Sequence, residues 1–277
     1  MPKIHSSIKN PIAETLLVPL YMRAIHSQKP NPIITDPDAV ALLGKLPYQF
    51  DDMDNKPKSE IGIALRVRYF DDKARQFLTN HSQGVIINVG CGLDTRLQRL
   101  GELANRAYFY NLDIDEVITI RHQWLTPLDN EYSISSSMFE ADWLDELIKK
   151  HPDTPFLFLI EGVMMYFDED SNRAFMTMLA DKCTHAYVYF DAPSKLVSRQ
   201  TKYHDTIKDT RAVFKFGLDD PKSLQCWHKK LHYQEHTYFG DLSEIVRMGK
   251  IMGLLMRYIP MFKKSFVMVG YHISMIH

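Results

Sequence analysis

The chain has 277 residues, of which 45% are hydrophobic, and its 33 basic side chains nearly balance 34 acidic ones. That length and apolar content suit one α/β domain with an added helical piece, able to fold without disulfide or metal staples. The even charge, with no dense Lys/Arg run, speaks against nucleic-acid or anionic-membrane partners, and no apolar run approaches the length of a membrane span.

Residues 12–27 follow a helical pattern, with Leu16, Leu17, Leu20 and Ile25 on one side, Arg23 among them and Pro30 beyond the end. Asp36-Pro37 starts a second helix and Gly44 stops it. Residues 51–59 are acidic and Pro-containing and read as a surface loop; residues 61–79 return to helix and carry Arg66 and Arg68, the latter expected to pair with Asp71 or Asp72. From residue 84 strands alternate with helices. Strands are expected over 85–89, 107–112, 132–138, 156–160 and 185–191, with helices over 116–125, 144–150 and 171–182. The unbroken apolar run at 156–160 marks a central strand covered on both faces. Residues 192–217, where Lys, Arg, His and Thr alternate with few apolar positions, read as an insertion or lid. A helix over 224–231, a strand over 233–239, a helix over 242–252 and a strand over 265–273 complete the pattern. The order predicts an α/β fold: a doubly wound, mostly parallel seven-stranded sheet with an antiparallel pair at one edge. Residues 1–80 form an N-terminal helical cap, and 81–277 a Rossmann-like domain with an insertion around 192–217.

The stretch V-I-I-N-V-G-C-G-L-D-T-R from Val85 is a β-branched strand ending in a Gly-x-Gly turn, followed by a second strand that ends on Asp113. Gly90 and Gly92 let backbone approach a ligand with no Cβ in the way, and Asp113 can accept two hydrogen bonds from a ribose diol. A dinucleotide fingerprint needs a third small residue where Thr95 stands, and Asp94 would repel a phosphate while suiting the cationic amino acid end of S-adenosylmethionine. That cofactor is therefore favoured over NAD, against the plainer reading of an ordinary turn. In open sheets ligands bind outside the carboxyl ends of the strands, so Asp142, Trp143 and Glu161 join the candidates; helix capping is the competing role for Asp142. Cys91, Cys183 and Cys226 are isolated and odd in number, which suits a reducing, cytoplasmic setting, and nothing at the start of the chain resembles a signal peptide. His228, His232 and His236 are spaced by four, but no carboxylate or cysteine pattern supports them, and no metal is expected.

Taken together, Arg23-Ala24, D-P-x-A at Asp36, R-x-R-Y-F-D-D from Arg66, V-G-C-G-L-D-T-R from Val89, L-D-I-D-E-V from Leu112, A-D-W at 141–143 and E-G-V-M-M-Y from Glu161 resemble the leucine carboxyl methyltransferase family. That family includes protein-phosphatase carboxyl methyltransferases and tetracenomycin-type polyketide O-methyltransferases. The resemblance spans roughly residues 12–240. It implies the class I S-adenosylmethionine-dependent methyltransferase fold, S-adenosylmethionine as cofactor and an oxygen, typically of a carboxylate, as acceptor. It further implies that Arg23 and Arg66 grip the methionine carboxylate, Gly90 and Gly92 pass under the amino acid, and Asp113 holds the ribose. Asp142 and Trp143 would bracket the adenine, Glu161 face the amino end, and Tyr166 look into the acceptor cavity. A carboxylate acceptor needs no base, whereas a hydroxyl does, and His204 with Tyr203 is the attractive pair for that work. The expected activity is O-methylation of a small-molecule or polyketide-like acceptor. A catalytically silent cofactor- or partner-binding protein and a dinucleotide-dependent oxidoreductase are the alternatives.

Overall fold

The computed structural model describes residues 16–46, 56–199 and 212–275. At its centre β1 (Gly84–Val89) is buried at every position, as its β-branched sequence requires of a strand covered on both faces. It pairs in parallel with β2 (Ala107–Asp113) and with β4 (Phe156–Ile160), whose bounds match the apolar run in the sequence. β3 (Glu131–Ser135) extends one side; β5 (His185–Pro193), then β7 (Phe266–Ser274) and β6 (Leu231–Tyr238), extend the other, giving the order β3-β2-β1-β4-β5-β7-β6. β7 runs antiparallel to both of its neighbours, so the edge hairpin expected from sequence is present, with the later strand on the inside.

Alternating residues of these strands feed two cores. Val85, Ile87, Phe156 and Phe158 pack with Leu144 and Leu147 of α6 (Asp142–Lys150) and Phe175 and Leu179 of α7 (Glu169–Lys182). Ile86, Leu157 and Leu159 pack on the other face with Leu65, Phe70 and Phe77 of α3 (Pro57–Asn80). The remaining N-terminal helices, α1 (Leu17–Ser27) and α2 (Pro37–Lys45), pack against Leu93 and against Val117 and Ile120 of α5 (Asp115–Trp124). Asp36 caps α2 by accepting from the Ala39 N–H at 3.0 Å, with Pro37 at the first helical position.

Several expectations are corrected. The helix after the glycine turn is the single turn α4 (Arg96–Arg99), and Gly101 at φ 61° leads into a 3-10 helix over Gly101–Arg106. β3 ends at Ser135, freeing residues 136–139 to turn inward. The helix expected over 224–231 is only a 3-10 turn, Ser223–Trp227, because Leu231 already pairs with Ile273 of β7. The helix expected over 242–252 is broken at Gly249, φ 109°, into a 3-10 turn (Ser243–Met248) and α9 (Lys250–Tyr258). Helix α3 begins at Pro57, so residues 57–59 are not loop; residues 51–55 lie outside the described residues. After β5 comes the short α8 (Lys195–Ser198), and residues 200–211 of the expected insertion likewise lie outside them.

Candidate functional site

The strand order reverses between β1 and β4, and the turns after these strands open a crevice. Gly90 and Gly92 sit at φ 64° and 50°, the left-handed region that glycine enters freely. A Cβ on Gly90 would come within 2.4 Å of Val163 Cγ2, so the close approach is also steric. The Gly92 N–H donates to Asp113 Oδ2 at 2.9 Å and the Ile114 N–H to Oδ1 at 2.8 Å, which locks the carboxylate at the tip of β2 beside the glycine turn. Burial pushes the Asp113 carboxyl up to about 6, against the pull of those two N–H donors.

These residues line a cavity of about 670 Å³. Its β1–β3 side is formed by residues 90–94, Asp113, Ile114 and residues 136–139. Its β4–β7 side is apolar, with Val163, Met165, Tyr166, Phe167, Phe214 and Phe266, roofed by Phe239, Met248, Met252 and Met256. Arg23, Arg66, Asp94 and Glu161 also reach the wall.

The sequence candidates divide. Arg23 is buried, donating to Asp36 Oδ2 at 2.9 Å and to the Leu93 carbonyl at 2.8 Å. Arg66 reaches from α3 across the sheet to Glu161 Oε1 at 3.0 Å and Asp191 Oδ2 at 3.4 Å. Burial alone would make its guanidinium easier to discharge, but Asp191 and Glu161 outweigh that and hold it charged. Tyr166 lines the apolar side with its ring 5.5 Å from that of Phe214. Asp142 and Trp143 depart from expectation, for neither lines the cavity. Asp142 is exposed in the first turn of α6, and the Trp143 indole points into the core, edge-on to Phe158 at 6.4 Å. Periodicity explains the difference: Trp143 belongs to the buried stripe of α6 with Leu144 and Leu147, and the preceding residues 136–139 take the cavity edge. The indole Nε1 finds no hydrogen-bond partner among the described residues. Tyr203 and His204 lie outside the described residues. Arg68, expected to pair along its own helix, instead forks onto Glu244, while Asp71 turns inward.

Sequence reasoning missed the buried ion network behind the cavity. Arg96 and Arg99 of α4 share Asp71 of α3, and Arg99 also holds Asp36 at 2.9 Å and Asp94 at 2.9 Å. Burial works against charge on Asp94, yet Arg96, Arg99 and Arg23 hold its carboxyl well below the usual range. Asp36 is held low in the same way, with Arg23 and Arg99 overcoming its burial. Asp191, at the end of β5, is wholly buried, accepts the Gly162 N–H at 2.6 Å and has its carboxyl pushed up by burial. The only local hint of the network was D-T-R following the glycines.

A nucleoside cofactor with a cationic amino acid end fits this wall. The two glycines leave the space that a backbone approach needs, Asp113 is held by two backbone N–H donors, and Asp94 and Glu161 disfavour a phosphate.

Comparisons with known proteins agree. The family model described as leucine carboxyl methyltransferase matches residues 17–180. The chain is 28% identical over 263 residues, 94% of its length and 96% of the relative's, to the tetracenomycin polyketide synthesis O-methyltransferase TcmP of Streptomyces glaucescens. It is 26% identical over 263 residues, 88% of each chain, to the S-adenosyl-L-methionine-dependent methyltransferase dpfgK of Gibberella zeae. In fold it resembles a putative methyltransferase from Thermobifida fusca, with TM-score 0.56, 12% identity and coverage of 92% and 94% of the two chains. A duf574 family protein from Streptomyces avermitilis superposes with TM-score 0.59 at 8% identity, covering 94% and 97%. The protein is an S-adenosylmethionine-dependent methyltransferase, and with the family model covering more than half of its length the chain belongs to the leucine carboxyl methyltransferase family.

Proposed function

We propose that the protein methylates an oxygen, in the first place a carboxylate oxygen, of a small molecule with a large apolar body. The observation that carries this reading is the continuity of the cavity from the Gly90–Asp113 edge to a wall of Met165, Met248, Met252, Met256, Phe214 and Phe266. Methionine is flexible and polarisable, so this wall adapts to a bulky or planar acceptor and offers little to a strongly polar one. Asp113 takes the ribose hydroxyls, Arg23 and Arg66 the methionine carboxylate, and Gly90 and Gly92 pass beneath the amino acid whose ammonium faces Glu161. Residues 136–139 form the adenine edge, with Trp143 supporting it from behind through the core it shares with Met138. Within the N-terminal piece, residues 1–80, it is α1 and the start of α3 that act as the cap over the cofactor.

S-adenosylmethionine supplies a methyl group on a sulfonium, a leaving group that needs no acid. What remains for the chain is to align the acceptor oxygen opposite that bond and to exclude water. An ionised carboxylate attacks directly and no proton moves; Tyr166 then only positions it. A hydroxyl acceptor would call for a base, the work proposed for His204. The test is turnover of labelled cofactor over a panel of hydrophobic acids and phenols, followed by a single-turnover pH profile at saturating cofactor. The expected result is transfer to acids at a rate flat from mildly acidic to neutral pH. A rate that climbs with pH and collapses in His204→Ala would assign a hydroxyl acceptor. Cofactor binding with no turnover on any acid or phenol of the panel would overturn this reading of the acceptor.

A further inference from the structure

We propose that Arg96 is the positioning residue of the cofactor site, fixing the Glu161 carboxylate at the cavity wall from behind. The inference rests on the reading of Glu161 as the group that faces the cofactor's amino end.

Arg96 does not line the cavity, and its side chain is 0% exposed, so it acts only through its partners. Its Nε donates to Asp71 Oδ1 at 2.9 Å, its Nη1 to Asn88 Oδ1 at 2.7 Å, and its Nη2 to Glu161 Oε2 at 2.5 Å; Nη1 also lies 3.3 Å from Asp94 Oδ2. Those four partners come from α3, β1, the glycine turn and the end of β4. One planar guanidinium thereby sets the spacing of the two strands that flank the crevice and of two carboxylates on its wall.

Glu161 is gripped at both oxygens. Oε1 accepts from Arg66 and Oε2 from Arg96. Arg66 is itself part of the wall and divides its donors between Glu161 and Asp191, so it gives Glu161 a pivot but not an orientation. Arg96 supplies the second point. Asp71 does not depend on it alone, since Arg99 Nε and Nη2 reach the same carboxylate at 2.7 and 3.0 Å. Asp94 also keeps Arg99. Among the wall carboxylates it is Glu161 that loses its orienting contact when Arg96 is shortened.

The test is a double-mutant cycle on binding of S-adenosylhomocysteine, read by calorimetry, with thermal unfolding recorded on each variant. Arg96→Met is expected to weaken binding by roughly 10- to 100-fold, the span of a charge-assisted hydrogen bond, and Arg96→Lys by less. In a Glu161→Gln background the further loss on changing Arg96 should shrink to about twofold or less, because the charge on which the contact depends is already gone. A merely structural role predicts the opposite, losses that multiply in the double variant, and that result overturns the proposal. So does wild-type affinity in Arg96→Lys. If Arg96→Met does not fold, the cycle is run with Arg96→Lys, which keeps the buried charge. Wild-type affinity in Glu161→Gln alone refutes the underlying reading of Glu161, whereas failure of the cycle with Glu161→Gln impaired refutes only the role of Arg96.

Discussion

The Gly92 N–H donates to Asp113 Oδ2 at 2.9 Å, tying the glycine turn after β1 to the carboxylate that ends β2. The bond sets the height of Asp113 above the sheet and leaves the remaining lone pairs of the carboxylate for a diol. Asp113→Ala should therefore weaken binding of S-adenosylmethionine and of its demethylated product by about 1.5–3 kcal/mol, with Asp113→Asn in between. Calorimetry that shows wild-type affinity in the alanine variant removes Asp113 from the site.

The same carboxyl carries a pH signature. Its folded pKa, pushed up to about 6 by burial, stands above the unfolded value near 3.9. The folded state thus holds the proton more tightly. The contribution of this group to stability is complete below about pH 4 and is lost as pH rises toward 6. A ligand that hydrogen-bonds the ionised form releases that proton, so binding near pH 6 should liberate about half a proton and weaken at lower pH. Calorimetry in buffers of different ionisation enthalpy measures it; Asp113→Asn should bind with no proton release from this position, and equal release in both proteins would assign the proton elsewhere.

Arg66 makes its contacts from α3, 95 residues away in sequence from Glu161. Arg66→Lys keeps a charge but loses the planar fork, and cofactor affinity should fall about tenfold or more while the unfolding midpoint moves little. An unchanged cofactor KM would leave Arg66 as a strut between helix and sheet.

The two glycines of the turn should differ. Gly90→Ala combines a left-handed φ of 64° with a Cβ placed 2.4 Å from Val163, whereas at Gly92 the nearest contact would be 3.7 Å from Leu16. The backbone term alone costs about 1–2 kcal/mol in either variant. Chemical denaturation should therefore show Gly90→Ala as clearly the more destabilised, and equal losses would mean that Val163 moves aside freely.

Asp36 joins Arg23 and Arg99 in a buried setting. Removing Asp36 takes from the buried Arg23 its paired carboxylate, while Arg99 keeps Asp71 and Asp94, so Asp36→Ala should cost about 3 kcal/mol by equilibrium unfolding. Since its folded pKa is lowered, the stability Asp36 contributes is present above the unfolded value and is lost as pH falls through the folded one. The difference between wild type and Asp36→Ala should narrow below about pH 4. A difference constant across that range would mean that the network titrates as a unit elsewhere.

Much of this was legible because it is local. The apolar run of β4, the Gly-x-Gly turn and the aspartate ending β2 each announce themselves within a few residues, and all three fell in place. Boundaries failed where a distant partner decided them: Leu231 was drawn out of a helical pattern by pairing with Ile273, and Gly249 split a run that looked continuous. Arg68 looked along its own helix for an acid and found Glu244, 176 residues on. The clamp on Glu161 left no trace in spacing, because Arg96 and Glu161 are 65 residues apart and neither sits on a periodic stripe that would reveal the other. Asp142-Trp143 was assigned by motif, and there the burial of the α6 stripe set the indole's direction.

β7 comes after every other strand among the described residues, yet it lies within the sheet, bonded to β5 along nine residues and to β6 on its far side. Until residues 266–274 leave the ribosome, β5 shows a bare edge that includes Val188 and Phe190, and β6 has no neighbour at all. A nascent chain paused before residue 266 would carry an adhesive edge beside a nearly finished nucleotide half, the kind of intermediate that chaperones hold and that pairs with copies of itself. Synthesis of this enzyme should thus be most prone to aggregation between the completion of β6 and the arrival of β7, and slowing translation over the codons that join them should lower the soluble yield.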